Sequence, residues 1–211
     1  RKESSAASDV YKRQHKDCEK LMPLIHLPVQ SGSNKILKNM NRKHTIEEYF
    51  DIIENLKKSK SNIQLSSDFI IGYPGETKDD FDQTIELMKR VKFINSYSFI
   101  YSARPGTPAF NLKTIDKVVA KERLIIFQEI SKKIKKDYRQ SLLSKTTPVL
   151  FENKTKDGNK YFGRDEHYNS VIVESNENLT GKIKNTKITE INQNTLFGKI
   201  NSKLIKEEFA A

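Results

Sequence analysis

Apolar and polar positions follow a regular order through the first half of the chain. Three apolar runs have the length of strands, and the segments between them place apolar residues three and four positions apart, as amphipathic helices do. The runs lie at 24–30, 65–71 and 96–101. Strand, helix, strand, helix, strand is the order of a parallel α/β structure. Three such units are too few to close a barrel, so we expect them to belong to a larger α/β domain.

The helices of this region carry start signals. Hydroxyl and carboxylate side chains at a first turn accept hydrogen bonds from free backbone N–H groups and suit the helix dipole. The expected caps are Ser33 for a helix from about Asn34, Thr45 with Glu48 for a helix to Lys58, and Thr77 for a helix to about Val91. A longer helix is predicted over 115–144, with a buried stripe at every fourth residue: Ile126, Ile130, Ile134, Tyr138 and Leu142.

The pattern changes after Thr147. Short β-branched or aromatic runs ("PVLFEN", "KYFGRD", "SVIVES", "LTGKIKNTKITEI", "NTLFGKI") are separated by Gly, Asn and Asp turns. About five such strands predict a small β-barrel of the oligonucleotide-binding kind. We therefore expect an α/β domain over 20–144 and a barrel over 145–205. Residues 1–19 and 206–211 are interpreted as tails, the first of them disordered or foreign, because it has no apolar periodicity.

Each of the three predicted strands carries polar residues on one face. Successive strand residues point to opposite sides, so the sets are separated by parity. The sets are His26, Pro28 and Gln30 in the first strand, Ser66 and Asp68 in the second, and Ser96, Ser98 and Ser102 in the third. We expect all three to face the interior of the α/β domain. Buried polar groups cost about 1–3 kcal/mol each when unpaired, so a small polar ligand is expected to pair with them.

Composition limits the classes of function. The net charge is +11, from 38 Lys and Arg against 27 Asp and Glu. That surplus favours a polyanionic partner such as RNA, DNA or a phospholipid surface, although a Lys- and Asn-rich compositional bias explains it equally well. The single cysteine, Cys18, excludes an internal disulfide and by itself cannot hold a metal cluster, which fits a reducing cytoplasm. No apolar run reaches 18 residues, so no membrane partner is expected.

Four motifs then point to a known family. "LMPLIHLPVQSGSNKILKNMNRKHTIEEY", "LSSDFIIGYPGET", "YSFIYSARPGTPA" and a terminal "PVLFE…GR" module resemble the methylthiotransferases, a radical S-adenosylmethionine family. The "NRKHT" and "SSDFI" variants favour the branch that acts on isopentenylated tRNA adenosine. Sister branches act on threonylcarbamoyl-adenosine tRNA or on a ribosomal protein.

The resemblance implies a fold and an activity. The fold is the C-terminal half of a radical-SAM partial (β/α) barrel followed by a small all-β TRAM barrel. The implied enzyme uses S-adenosylmethionine and two 4Fe-4S clusters to methylthiolate C2 of N6-isopentenyladenosine next to the anticodon. The cysteines of both clusters are absent here, so we expect a fragment that is inactive alone. The implied partner is the tRNA anticodon stem-loop, and a cytoplasmic monomer is expected.

The resemblance also implies site residues, by position. Candidates for S-adenosylmethionine contacts are Gln30, Ser31, Ser33, Arg42, Asp68 and Ser98. The substrate nucleoside is expected near Tyr101 and Arg104. Candidate RNA contacts in the barrel are Lys154, Lys156, Lys160, Arg164, Lys182 and Lys184, with Phe151, Tyr161, Phe162 and Tyr168 as aromatic residues of which at least half are expected in the core. No catalytic residue or metal ligand is assigned. A non-enzymatic RNA-binding module remains an alternative.

Overall fold

The computed structural model describes residues 14, 17, 18, 20–156 and 158–200. The chain forms two compact units, residues 1–135 and 136–211. The predicted tail at 206–211, and all of the tail at 1–19 except residues 14, 17 and 18, lie outside the described residues. None of the helices described combines the length and the apolar character that a membrane crossing requires.

The first unit contains a three-stranded parallel sheet with the order β1-β2-β3. Its strands are β1 (Leu24–His26), β2 (Gln64–Ile71) and β3 (Asn95–Ile100). Its helices are α1 (Asn34–Asn39), α2 (Ile46–Ser59), α3 (Lys78–Val91) and α4 (Lys117–Gln140), and a 3-10 turn covers Pro108–Asn111. Helix α4 continues into the second unit. The predicted parallel α/β order is confirmed.

The first strand is shorter than predicted. Regular pairing stops at His26, and only an isolated bridge between Gln30 and Phe69 follows. Pro28 has no N–H to donate, and the Val29 N–H donates to the Ser67 hydroxyl at 3.0 Å instead of to a strand carbonyl. These two losses interrupt the ladder.

The core of the first unit lies between one face of the sheet and the helices. Phe69 is fully buried, and its ring contacts those of Phe93 and Phe127, with centroids 5.5 and 4.7 Å away. Phe127, from α4, is also fully buried, whereas Ile126 is 45% exposed. The predicted place of Ile126 in the stripe is therefore wrong. A series at every fourth residue turns by about 40° per step on a helix of 3.6 residues per turn, so it leaves the buried face.

The predicted helix caps are confirmed. The Ser33 hydroxyl accepts from the backbone N–H of Ile36. Thr45 and Glu48 form a capping box at the start of α2, and Thr77 and Asp80 form one at the start of α3. Two orphan N–H groups are satisfied at each box.

A tight corner at the end of the first strand packs against α3. A Cβ on Gly32 would lie 2.5 Å from the carbonyl oxygen of Gln83 and the Cα of Thr84, so only glycine fits between the two segments. The Gly32 N–H donates to the Thr84 hydroxyl at 2.9 Å. The Ser33 hydroxyl donates to Asp80 at 2.7 Å. The corner is thus held by backbone contact and by a buried carboxylate.

The second unit contains a closed barrel with the strand order β4-β5-β6-β8-β7. The strands are β4 (Thr146–Lys154), β5 (Lys160–Asp165), β6 (Ser170–Glu174), β7 (Ile183–Ile191) and β8 (Leu196–Ile200). Neighbours pair antiparallel except β6 with β8. The core consists of Val149, Phe151, Tyr161, Val171, Val173, Leu179, Ile188 and Leu196. The small barrel predicted from the short strands is confirmed.

Asp80 is the group on which we expect the stability of the first unit to depend most on pH. Burial opposes its ionisation, but hydrogen bonds from Lys35, the Thr77 backbone and hydroxyl, and Ser33 outweigh that effect and hold the pKa of its carboxyl well below the usual range. The carboxyl is therefore more acidic in the folded chain than in the unfolded chain. Its contribution to stability is present above the unfolded pKa of about 4 and is lost as the pH falls below it.

Replacing Asp80 by Asn keeps the shape of the side chain and removes this charge. We expect the free energy of unfolding at pH 7 to fall by about 2–3 kcal/mol, since hydrogen bonds to a buried charged group are lost. Urea unfolding at pH 3 to 7 should also show a shallower pH dependence than in the original chain. Asp82→Asn is the control, because Asp82 is half exposed and pairs with the exposed Lys78 within α3. Equal losses in both variants would contradict the prediction.

Candidate functional site

One face of the parallel sheet carries exposed side chains, and its residues follow from the strand register. His26 pairs with Ser66, Asp68 with Tyr97, and Ile70 with Phe99. Paired residues of parallel strands point to the same side of a sheet. His26, Ser66, Asp68, Tyr97 and Phe99 thus share what we call the open face. Tyr97 and Phe99 are 54% and 59% exposed.

Ser98 does not lie on the open face. It pairs with Phe69, and Ser96 pairs with Ser67. The Ser96 hydroxyl is hydrogen-bonded to Ser131 of α4 at 2.6 Å, so this side of β3 meets the helices. The prediction that the serines of the third strand face the same way as Asp68 is therefore wrong. Parity separates the two faces within a strand, but the register between strands decides which faces coincide.

A hydrogen-bonded triple lies across β1 and β2 on the open face. His26 Nδ1 is 2.9 Å from the Ser66 hydroxyl, and His26 Nε2 is 3.3 Å from Asp68 Oδ2. The Tyr97 ring meets the imidazole edge-on, with centroids 6.3 Å apart. The side chains of His26 and Asp68 are 46% and 33% exposed. Sequence reasoning named Asp68 but missed this role of His26, although the parity of the first strand already placed His26 among the polar set.

The predicted cofactor residues at the end of the first strand are buried. Gln30 is 7% exposed and has a left-handed backbone with a φ of 75°. Ser31 and Ser33 are each 1% exposed. The Ser31 hydroxyl lies 3.4 Å from that of Thr84 and accepts from the Ser33 N–H, and Ser33 bonds Asp80. Both hydroxyls therefore have protein partners that explain their presence, and their contact with a cofactor stays a prediction.

Three further predicted residues lie on separate segments after α1 and β3. Arg42 is exposed after α1. Burial of His44 and the positive charge of Arg42 both lower the pKa of His44. The Tyr101 hydroxyl donates to the Ala109 carbonyl at 3.1 Å. Arg104 is exposed in a turn, where its backbone carbonyl accepts hydrogen bonds from the N–H and the hydroxyl of Thr107. No contact that would join these residues to Asp68 is found among the described residues.

The loop after β2 holds a buried ion pair that sequence reasoning did not predict. Arg123 of α4 donates to Glu76 at 2.6 Å, and the side chains are 13% and 2% exposed. Both carboxylate oxygens of Glu76 accept from the Gly72 N–H at 3.2 Å. Burial raises the pKa of Glu76, and Arg123 opposes that rise. Gly72 and Gly75 have φ values of 74° and 81°, in the left-handed region that favours glycine.

The barrel presents a cationic and aromatic cluster on the outer side of β5. The Arg164 guanidinium lies 4.0 Å from the ring centroid of Tyr168 and 5.3 Å from that of Phe162. Its Nε donates to Glu152 at 3.2 Å. Tyr168 is 56% exposed. Stacked arginine and aromatic rings of this kind suit both nucleobases and phosphates.

The other predicted RNA residues differ in their exposure and in their partners. Lys154 and Lys156 are exposed, and Lys160 lies 3.9 Å from Glu174. Lys182 and Lys184 are half-buried, and Lys184 pairs with the core residue Val149, so it lies on the inward side of β7. Among the aromatic residues, Phe151 and Tyr161 are buried in the core, as expected for half of the four.

The described residues do not fit an iron–sulfur cluster. Such clusters are held by several cysteine thiolates. The whole sequence contains one cysteine, Cys18, which is exposed. Within the described ranges, no group of three or more His, Cys, Asp or Glu side chains is arranged to hold a metal ion.

Comparison with protein families agrees with the two-part architecture. The model of the radical SAM superfamily matches residues 12–88, and the model of the TRAM domain matches residues 140–200. The first match covers β1, β2 and most of α3 and ends before β3, and the second covers the β-barrel. The predicted fold class, a radical SAM α/β part followed by a TRAM barrel, is confirmed.

Curated relatives give a closer comparison. The chain is 56% identical over 188 residues to the tRNA-2-methylthio-N(6)-dimethylallyladenosine synthase of Pelagibacter ubique, which covers 88% of this chain and 42% of that protein. It is 48% identical over 187 residues to the synthase of that name from Wolbachia pipientis subsp. Culex pipiens, covering 87% and 42%. A Rickettsia conorii synthase is 47% identical over 183 residues, covering 86% and 41%. The chain spans less than half the length of these relatives. Two parts of this chain match the radical SAM superfamily and the TRAM domain, and most of its length is similar to these synthases.

Proposed function

We propose that this chain is the C-terminal part of a tRNA methylthiotransferase that modifies C2 of N6-isopentenyladenosine next to the anticodon. The observation that carries the proposal is the 46–56% identity to synthases of that name over most of the chain. The identity extends through both the α/β part and the barrel, so it does not derive from a shared RNA-binding domain alone.

S-adenosylmethionine is the proposed cofactor, and when bound it supplies the adenosyl group and the radical chemistry of the family. The open face offers a carboxylate with exposed surface in Asp68 and two exposed rings in Tyr97 and Phe99, which fit a polar molecule with a flat base. Gln30, Ser31 and Ser33 are proposed to shape the neighbouring end of the cleft, with the serine hydroxyls acting through the corner that they hold. The two 4Fe-4S clusters proposed for the whole enzyme need cysteines that this chain does not contain.

The barrel is proposed to bind tRNA, at the anticodon stem-loop. The net charge of +11 favours a polyanion. The cluster of Arg164, Tyr168 and Phe162 offers stacking surface for an unpaired base, and exposed lysines such as Lys154 offer phosphate contacts. A cytoplasmic monomer remains part of this proposal.

The barrel proposal predicts two kinds of loss of RNA binding. Tyr168→Ala should weaken binding of a single-stranded anticodon-loop oligoribonucleotide by roughly 5- to 100-fold, with the salt dependence unchanged, because stacking releases no counterions. Lys154→Gln should reduce the slope of log affinity against log salt by about 0.7, because one phosphate contact is lost. The measurement is fluorescence anisotropy of the labelled oligonucleotide at salt concentrations from about 50 to about 200 mM.

Phe110→Ala provides the control for Tyr168, since Phe110 is an aromatic residue of similar exposure, 47%, outside the barrel. It should leave the affinity unchanged. A loss in the Phe110 variant equal to that in the Tyr168 variant would argue against a specific platform on the barrel.

The enzymatic proposal is tested with a protein extended upstream. The chain is joined to the missing N-terminal region, and the clusters are reconstituted without oxygen. Mass spectrometry of isopentenylated tRNA should then reveal a methylthio group on the adenosine, and the chain alone should yield none. A modified threonylcarbamoyl-adenosine instead would assign the sister activity. Tight tRNA binding by the barrel with no product from any extended protein would favour the non-enzymatic RNA-binding module.

A further inference from the structure

His26, Ser66 and Asp68 form a hydrogen-bonded triple in the first unit. The proposed function uses Asp68 but gives no role to His26 or Ser66. The triple lies on the open face, and its imidazole and carboxylate are 46% and 33% exposed. Neither group is therefore sealed in a core. A buried structural network would not leave both groups accessible to a ligand.

The tautomer of His26 follows from the chemistry of its neighbours. An ionised carboxylate only accepts hydrogen bonds, so the contact of Nε2 with Asp68 Oδ2 at 3.3 Å requires the hydrogen on Nε2. In the neutral ring, Nδ1 is then an acceptor, and the Ser66 hydroxyl donates to it at 2.9 Å. Ser66 is 6% exposed, so this second bond is sheltered. The edge-on ring of Tyr97 further restricts the imidazole.

One carboxylate oxygen of Asp68 is bonded to His26, and the other is available to a ligand. Oδ2 is taken by His26, and within the described ranges the carboxylate forms no ion pair with lysine or arginine. A partly exposed anionic acceptor held by a neutral donor suits a ligand that brings N–H or O–H donors of its own. The hydroxyl and amino groups of a nucleoside have that chemistry.

We propose that His26 is a positioning residue for Asp68. Anchored by Ser66, it holds the carboxylate so that the free oxygen accepts a hydrogen bond from the nucleoside that lies on the open face. This inference rests on the proposed function. Two ligands share the required chemistry, S-adenosylmethionine and the target adenosine of the tRNA.

Two substitutions of His26 separate its two hydrogen bonds. Glutamine places its amide where Nε2 lies and keeps a donor for Asp68, whereas asparagine reaches only as far as Nδ1 and keeps the contact with Ser66. We expect His26→Asn to raise the dissociation constant of one ligand about tenfold. His26→Gln should change that constant by less than about threefold. Asp68→Asn is a second variant that should match His26→Asn.

The measurements use the upstream-extended protein of the proposed function. Equilibrium dialysis gives the dissociation constant of S-adenosylmethionine, and filter binding gives that of an isopentenylated anticodon stem-loop. The probe whose affinity changes identifies the ligand of Asp68. In the chain itself, nitrogen-15 NMR of the histidines should show the Nε2–H tautomer for His26, and thermal unfolding should show that the variants are folded.

The outcomes separate this inference from the function on which it rests. Equal effects of His26→Asn and His26→Gln, unchanged affinities for both probes, or an Nδ1–H tautomer would each overturn the positioning role while leaving the enzymatic proposal intact. An extended protein that binds neither probe and forms no methylthiolated product would overturn both.

Discussion

The register of β2 between its two parallel neighbours is the constraint on which the candidate site depends. Because Ser66 lies opposite His26 and Asp68 lies opposite Tyr97, one face of the sheet collects a hydrogen-bonded triple and exposed rings. The other face places Phe69 against Phe93 and Phe127. A slip of β2 by one residue against both neighbours would exchange the two sets and put a carboxylate into the core.

Local features and the order of elements could be predicted from the sequence, whereas the register between strands could not. The capping box of Thr45 and Glu48 involves residues three apart, so the sequence contains its whole cause. The side of Ser98 depends on a strand about thirty residues away, which parity alone does not reveal. Ile126 and Phe127 differ by one position on the same helix, and only the place of Phe69 decides which of them is buried. The candidate site was therefore predicted in part, with Asp68 correct as to face and Ser98 wrong.

The polar residues near the strand ends form two groups: those whose hydrogen bonds are completed within the protein and those that remain accessible. Ser31 and Ser33 complete their hydrogen bonds with Thr84 and Asp80, so they contribute to the rigidity of the corner at Gly32. Glu76, in the loop after β2, forms a buried ion pair with Arg123. A sequence rich in Ser, Gln and Gly at strand ends thus combines residues that hold the corner with residues that remain accessible on the open face, and composition does not distinguish them.

The sheet and the barrel present their aromatic residues in opposite ways, and this difference bears on function. The barrel is closed, so Phe151 and Tyr161 fill its core, while Tyr168 lies outside beside Arg164. Tyr97 and Phe99 remain exposed on the open face of the sheet, although both lie in β3. Exposed rings cost free energy in water unless another surface covers them. Rings beside an anionic acceptor suit a nucleoside, and a ring beside a guanidinium suits an unpaired base and its phosphate. The two units therefore differ in their chemistry as the proposed nucleoside site and the proposed RNA contact require.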